Sequence, residues 1–261
     1  MKKTLSIISF ILALTAVTSC DWFTLDNQDG WDAKVEGALI DSKTGEPVQS
    51  EQQTLNTYQG YGTSLSVIEK GWDAEDVQYW NVKSNGTYVN KLVFAGDYTM
   101  DTKNANFVSD PVNFTLKKGN NTVNFTVTPF MRVLNPKVSY DPAAKKIVAT
   151  CTVEGGLPAI QMATEVRLCC FTDRFVSNRF NNCSRDAGAS VKMVKADGAT
   201  LVTISIDTQS PLNAAEFKYK RAHYVRIAAL GSHPSNAYNR YNYSPVFKIG
   251  EDFNVTEVTD W

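Results

Sequence analysis

Cys20 is preceded by Val17-Thr18-Ser19, and ahead of these lie Lys2, Lys3 and an apolar run from Leu5 to Val17. A basic start, a short hydrophobic stretch and small residues before a cysteine form a bacterial lipoprotein signal, cut so that the cysteine thiol then carries lipid. An uncleaved transmembrane helix is the competing reading. Spanning a bilayer takes about 20 predominantly apolar residues, whereas this run is shorter and contains Ser6, Ser9 and Thr15. Ordinary secretion competes too, because Val17-Thr18-Ser19 is only a fair match to the usual leucine and small-residue pattern. The expected address is outside the inner membrane, tethered to a bilayer through Cys20; Asp21, Asp26 and Asp29 are a thin acidic signal for export to the cell surface.

No catalytic set competes with that cysteine. A serine nucleophile needs a histidine within hydrogen-bond reach, itself oriented by an acid, and the chain has only His223 and His233, with no G-x-S-x-G elbow. Glycoside hydrolysis needs two carboxyl groups facing each other across a cleft. Asp73, Glu75 and Asp76 are clustered, but acids in a polar loop are ordinarily just solvated. Two histidines and scattered acids give no metal-ligand spacing, and Asp26, Asn27, Asp29 and Gly30 lack the alternating ligands and final glutamate of a calcium loop. The expectation is a non-enzyme with no metal and no cofactor.

Binding chemistry is better supplied. Sugar rings present apolar C–H faces that stack on exposed aromatic rings, whose polar surroundings then hold the hydroxyls. Three clusters fit that description: Tyr58 and Tyr61 in a polar loop; Trp72, Tyr79 and Trp80 around Asp73, Glu75, Asp76 and Gln78; and Tyr238, Tyr241 and Tyr243 among Asn236, Asn239, Arg240 and Asn242. Trp72 follows Gly71 in a loop-like stretch and is the best single platform. Tyr79 and Trp80 are consecutive, so in a strand only one of them can face the core. Tyr241 and Tyr243 share a strand face and suit packing partners.

The elements that must position these residues are strands. Short alternating stretches run over 34–41, 63–69, 78–83, 91–94, 96–99, 112–116 and 122–127. Turn signals lie between them, at Lys43-Thr44-Gly45-Glu46-Pro47, Ser84-Asn85-Gly86 and Lys117-Lys118-Gly119-Asn120. Pro129, Asn135, Pro136 and Asp141-Pro142 then interrupt the pattern, which places a domain boundary between Thr128 and Tyr140. Further strands follow over 145–154, 164–172, 190–194, 199–207, 222–230 and 243–249, and only Leu212 to Lys220 suits a helical turn. The reading is all-β: signal peptide 1–19, tether 20–33, a first β-sandwich over 34–130 and an immunoglobulin- or fibronectin-like sandwich over 131–261.

Bulk composition narrows the partners. With 26 basic and 27 acidic residues, the chain has no net attraction for phosphate backbones, so nucleic acid is excluded and membrane attachment is expected through the lipid alone. Lipidation of Cys20 leaves Cys151, Cys169, Cys170 and Cys183, none in C-x-x-C spacing. In an oxidising compartment these allow one or two disulfides, or they fill a core as small apolar residues.

Asp29-Gly30-Trp31-Asp32-Ala33, Val35 to Asp41, Thr44 to Gln49, Asn81 to Tyr88 and Leu92 to Tyr98 resemble the first domain of a two-domain lipoprotein family of unknown function from glycan-foraging Bacteroidetes. Tyr224 to Ala228 and Arg240 to Val246 resemble its second domain. That likeness implies a transthyretin-like, carboxypeptidase-regulatory-like first sandwich. It also implies genes beside outer-membrane transporters of the starch-utilisation type, hence a polysaccharide or oligosaccharide ligand and a transporter complex as partners. An adaptor that docks on the transporter without binding glycan is the competing role.

Overall fold

The computed structural model describes residues 30–51, 62–101, 105–236 and 239–261. Cys20, Tyr58, Tyr61 and Tyr238 lie outside them. Among the described residues the chain is all-β, with one 3-10 turn at Ala187–Ala189 and no helix long and apolar enough to cross a membrane.

Nine strands cover the first part of the chain: β1 (Ala33–Asp41), β2 (Ser64–Glu69), β3 (Val77–Asn81), β4 (Thr87–Val93), β5 (Gly96–Asp101), β6 (Phe107–Val108), β7 (Val112–Leu116), β8 (Gly119–Thr122) and β9 (Phe125–Pro129). They form two sheets, β4-β1-β9-β6 with β8 also on β1, and β3-β2-β5-β7. Strand β1 changes parallel partner halfway: Ala33–Glu36 lie along β8 and Leu39–Asp41 along β9. Gly37 makes the switch possible, because a Cβ there would sit 1.7 Å from the Val123 carbonyl oxygen. That oxygen accepts the Tyr88 hydroxyl at 2.6 Å. At the β3–β4 turn Gly86 takes φ +80°, and a Cβ would meet Val48 O at 2.5 Å. The two sheets close over Leu39, Leu65, Val67, Met100 and Leu116 and a cluster of aromatic rings.

The second sandwich follows: β10 (Met131–Asp141), β11 (Lys146–Gly155), β12 (Met162–Phe171), β13 (Ser190–Lys195), β14 (Asp197–Asp207), β15 (His223–Gly231), β16 (Asn242–Tyr243), β17 (Phe247–Ile249) and β18 (Val255–Glu257). Its sheets are β10-β11-β14 and β13-β12-β15-β17-β18, with β16 on β15. The stretch expected to be interrupted around Asn135-Pro136 is instead an unbroken assigned strand, β10. It is an edge strand, its register shifts between Leu134 and Lys137, and Asn135 takes φ 49°. Proline's missing N–H is tolerated at such an edge irregularity. Residues 212–220 make turns rather than a helix. All four described cysteines are free and buried. Cys151, Cys170 and Cys183 fill the main core, and Cys169 faces a smaller cluster with Val176, Tyr243 and Val246. Burial pushes the Cys151 and Cys169 thiols up to about 12, so both are inert.

Buried polar groups join the sandwiches. The Arg226 guanidinium, fully buried, donates to the carbonyls of Ser50 (2.9 Å), Ser84 (3.3 Å) and Ser244 (3.0 Å) and lies 4.3 Å from the Tyr243 ring centroid. Glu51 accepts from the Ser177 hydroxyl at 2.6 Å and the Tyr243 hydroxyl at 2.7 Å. Arg132 forks onto Asp41 at 2.6 and 2.7 Å and reaches Glu154 at 2.9 Å. Each of these charges comes from one sandwich and finds partners on the other, as buried charges must to be tolerated.

Candidate functional site

Strand β3 is an edge of its sheet, and residues 70–76 connect it to β2. The connection leaves β2 with the Lys70 N–H donating to Asp97 O at 2.8 Å, turns at Gly71 (φ +95°) and is clasped by Lys70–Glu75 at 2.9 Å. Trp72, at the apex of that path, is 46% exposed, and Asp73 and Asp76 beside it are exposed as well. Because β3 alternates, Tyr79 faces away from the core, 38% exposed, although its register partner on that face, Ser66, is buried.

Trp80 points the other way. Expected as a platform residue, it is 3% exposed and packs at about 6 Å, centroid to centroid, on Tyr88, Tyr98 and Phe114. Its indole N–H is satisfied by Gln78 Oε1 at 3.2 Å, and Gln78 in turn donates to Glu69. Trp80 is therefore a core residue, and the strand parity that separates it from Tyr79 is the reason. The structure brings Trp72 and Tyr79 onto one hairpin and leaves Trp80 behind it.

The third cluster also resolves into structure. Tyr243 is buried at the junction of the two sandwiches, and the Tyr241 hydroxyl donates to Glu165 at 2.6 Å. Burial would raise the Glu165 carboxyl, but hydrogen bonds from Lys192 and Tyr241 hold it below its ordinary value. Asn236, Arg240 and Asn242 are buried and bonded to backbone: Asn236 to Gly231 O, Arg240 to Gly62 O and Asn242 to Asn106 O. The histidines are structural in surroundings. His223 is buried and stacked 4.4 Å from Phe217, and burial pushes its pKa down. His233 lies against Phe130, its Nδ1 accepting the Ser235 N–H. Among the described residues no group of three histidines, cysteines or acids is placed to hold a metal.

Sequence reasoning did not find the cleft of about 340 Å³ at the junction, lined among others by Asp41, Glu46, Gln49, Arg132, Asn135 and Glu257. Its residues come from strands far apart in the chain, so no contiguous motif marks it. Arg132 there is committed to Asp41 and Glu154, and the one lining aromatic, Tyr243, is buried. The exposed aromatic hairpin is the stronger site.

Residues 33–128 match the family model described as "Protein of unknown function (DUF3823) N-terminal domain". A crystal structure from Bacteroides uniformis, described as a "putative carbohydrate binding protein", is 30% identical, with a TM-score of 0.73 over 88% of this chain and 100% of that one. The chain belongs to the DUF3823 family. Two structures described as DUF3823 family proteins share the fold: one from Parabacteroides merdae (22% identity, TM-score 0.67, 84% and 99% covered) and one from Bacteroides ovatus (18%, 0.64, 84% and 99%). No curated protein matches the chain. As a DUF3823 protein it carries the hairpin of Trp72 and Tyr79 within the residues that define the family's first domain.

Proposed function

We propose that this DUF3823 chain is a non-catalytic lipoprotein, held at the outer membrane through Cys20 and facing outward, that binds polysaccharide or oligosaccharide beside an outer-membrane transporter. The contact is the β2–β3 hairpin, where Trp72 and Tyr79 stack on sugar faces and Asp73 and Asp76 accept from hydroxyls. One observation carries the reading: of the nominated aromatics that the structure describes, Trp72 and Tyr79 are the exposed pair and belong to one hairpin. The signal before Cys20 and the description of the Bacteroides uniformis relative as a "putative carbohydrate binding protein" support it. Native gels containing a panel of polysaccharides test it. Retarded migration in at least one, lost on Trp72→Ala, is expected; unretarded migration in all of them refutes the binding role.

The adaptor role, docking on the transporter without binding glycan, is the second reading. It predicts stable co-purification with an outer-membrane protein and no glycan affinity.

A further inference from the structure

One end of the first sandwich gathers the start of β1, the end of β4, the start of β5 and the β7–β8 turn: Ala33 pairs with Val93 and Gly119, and Gly96 with Leu116. The second sandwich joins at the other end, where Asp41 closes β1 and holds Arg132. The first end is therefore the one nearest Cys20 along the chain. At about 3.5 Å per residue, the chain from Cys20 to Gly30 reaches at most roughly 35 Å.

Two large apolar side chains are exposed at this end, Trp31 at 60% and Leu92 at 58%. They adjoin the same strand pair, since Trp31 lies two residues before Ala33 and Leu92 one residue before its partner Val93. The same end carries four lysines, Lys34 on β1, Lys91 on β4 and Lys117 and Lys118 in the β7–β8 turn. Two of these are paired, Lys118 with Asp32 at 3.1 Å and Lys34 with Glu36 at 2.7 Å, so Lys91 and Lys117 give this edge a net positive charge. The opposing sheet is acidic at the same end: Glu75 is paired with Lys70 at 2.9 Å, which leaves Asp73, Asp76 and Asp97. Interfacial indoles settle at headgroup depth and neighbouring lysines meet lipid phosphates, whereas carboxylates are repelled by them.

We infer that Trp31 and Leu92, flanked by Lys91 and Lys117, form a membrane contact that lays this edge on the phosphate headgroups of the bilayer holding the anchor. This rests on the reading of Cys20 as the lipidated residue, and it adds a protein-borne contact to the lipid. The acidic edge bearing Trp72 is turned away from the bilayer, and the hairpin stays open to ligand.

The test uses the full lipidated protein in phosphatidylethanolamine–phosphatidylglycerol vesicles with brominated acyl chains, in a Trp22→Phe background that removes the indole nearest the anchor. Part of the tryptophan emission is expected to be quenched by the bromolipid. That quenched part is lost on Trp31→Phe, retained on Trp72→Phe and released by Leu92→Asp. Flotation with the vesicles but unchanged quenching on Trp31→Phe overturns the contact and leaves the anchor standing. Quenching lost on Trp72→Phe instead overturns the stated orientation. Failure to float overturns the anchor and the contact with it.

Discussion

Trp72 and Trp80 sit on one hairpin and should fail in opposite ways. Trp80→Ala empties a buried site between Tyr88, Tyr98 and Phe114 and is expected to cost about 3–5 kcal/mol of stability. Trp72→Ala removes an exposed side chain and should stay within ~0.5 kcal/mol of the parent while abolishing glycan retardation; urea denaturation read beside the gels separates the two effects. Asp41 supplies the pH dependence. Burial would raise its carboxyl, but hydrogen bonds from Arg132 and the Lys43 N–H hold it below its ordinary 3.8. A carboxyl lowered by folding contributes stability that is present above its unfolded pKa and lost as pH falls through the folded one. Acid titration of stability should therefore show a loss below about pH 4, and Asp41→Asn should flatten that loss while lowering stability at neutral pH. Strand alternation made it legible in sequence that only one of Tyr79 and Trp80 could be core. The Asp41–Arg132 pair was not legible, because its members belong to different sandwiches.

At the scale of elements, the long alternating strands could be read within a few residues of their ends. Strands β6, β16 and β18 are too short to show a period, and β10 was hidden by a proline that an edge strand tolerates. The change of partner along β1 was also invisible, since it depends on Val123 approaching Gly37. Gly37→Ala tests that packing directly. Its Cβ has no room beside the Val123 carbonyl, and the displaced backbone should cost about 1–3 kcal/mol, read as a lowered denaturation midpoint. A midpoint equal to the parent's would mean that the β8–β9 crossing is looser than described.

At the scale of the molecule, the two sandwiches are expected to unfold together. Arg226, whose pKa burial pushes down to about 10, has its partners across the junction at Ser50 and Ser84. Arg226→Ala leaves those carbonyls and Glu51 without their cation, a loss of about 3–5 kcal/mol by analogy with broken buried pairs. Calorimetry should show one transition for the parent and two for the variant; two transitions in the parent would contradict the close joining of the sandwiches. That joining fixes where the β2–β3 hairpin is presented relative to the rest of the protein, and the central claim is that the hairpin binds carbohydrate. The most direct measurement is calorimetric titration of the polysaccharide that retards the protein into parent, Trp72→Ala/Tyr79→Ala and Tyr241→Phe proteins, all with folding verified. The account predicts saturable heat for the parent and Tyr241→Phe and none for the double variant. Equal binding by all three would contradict it.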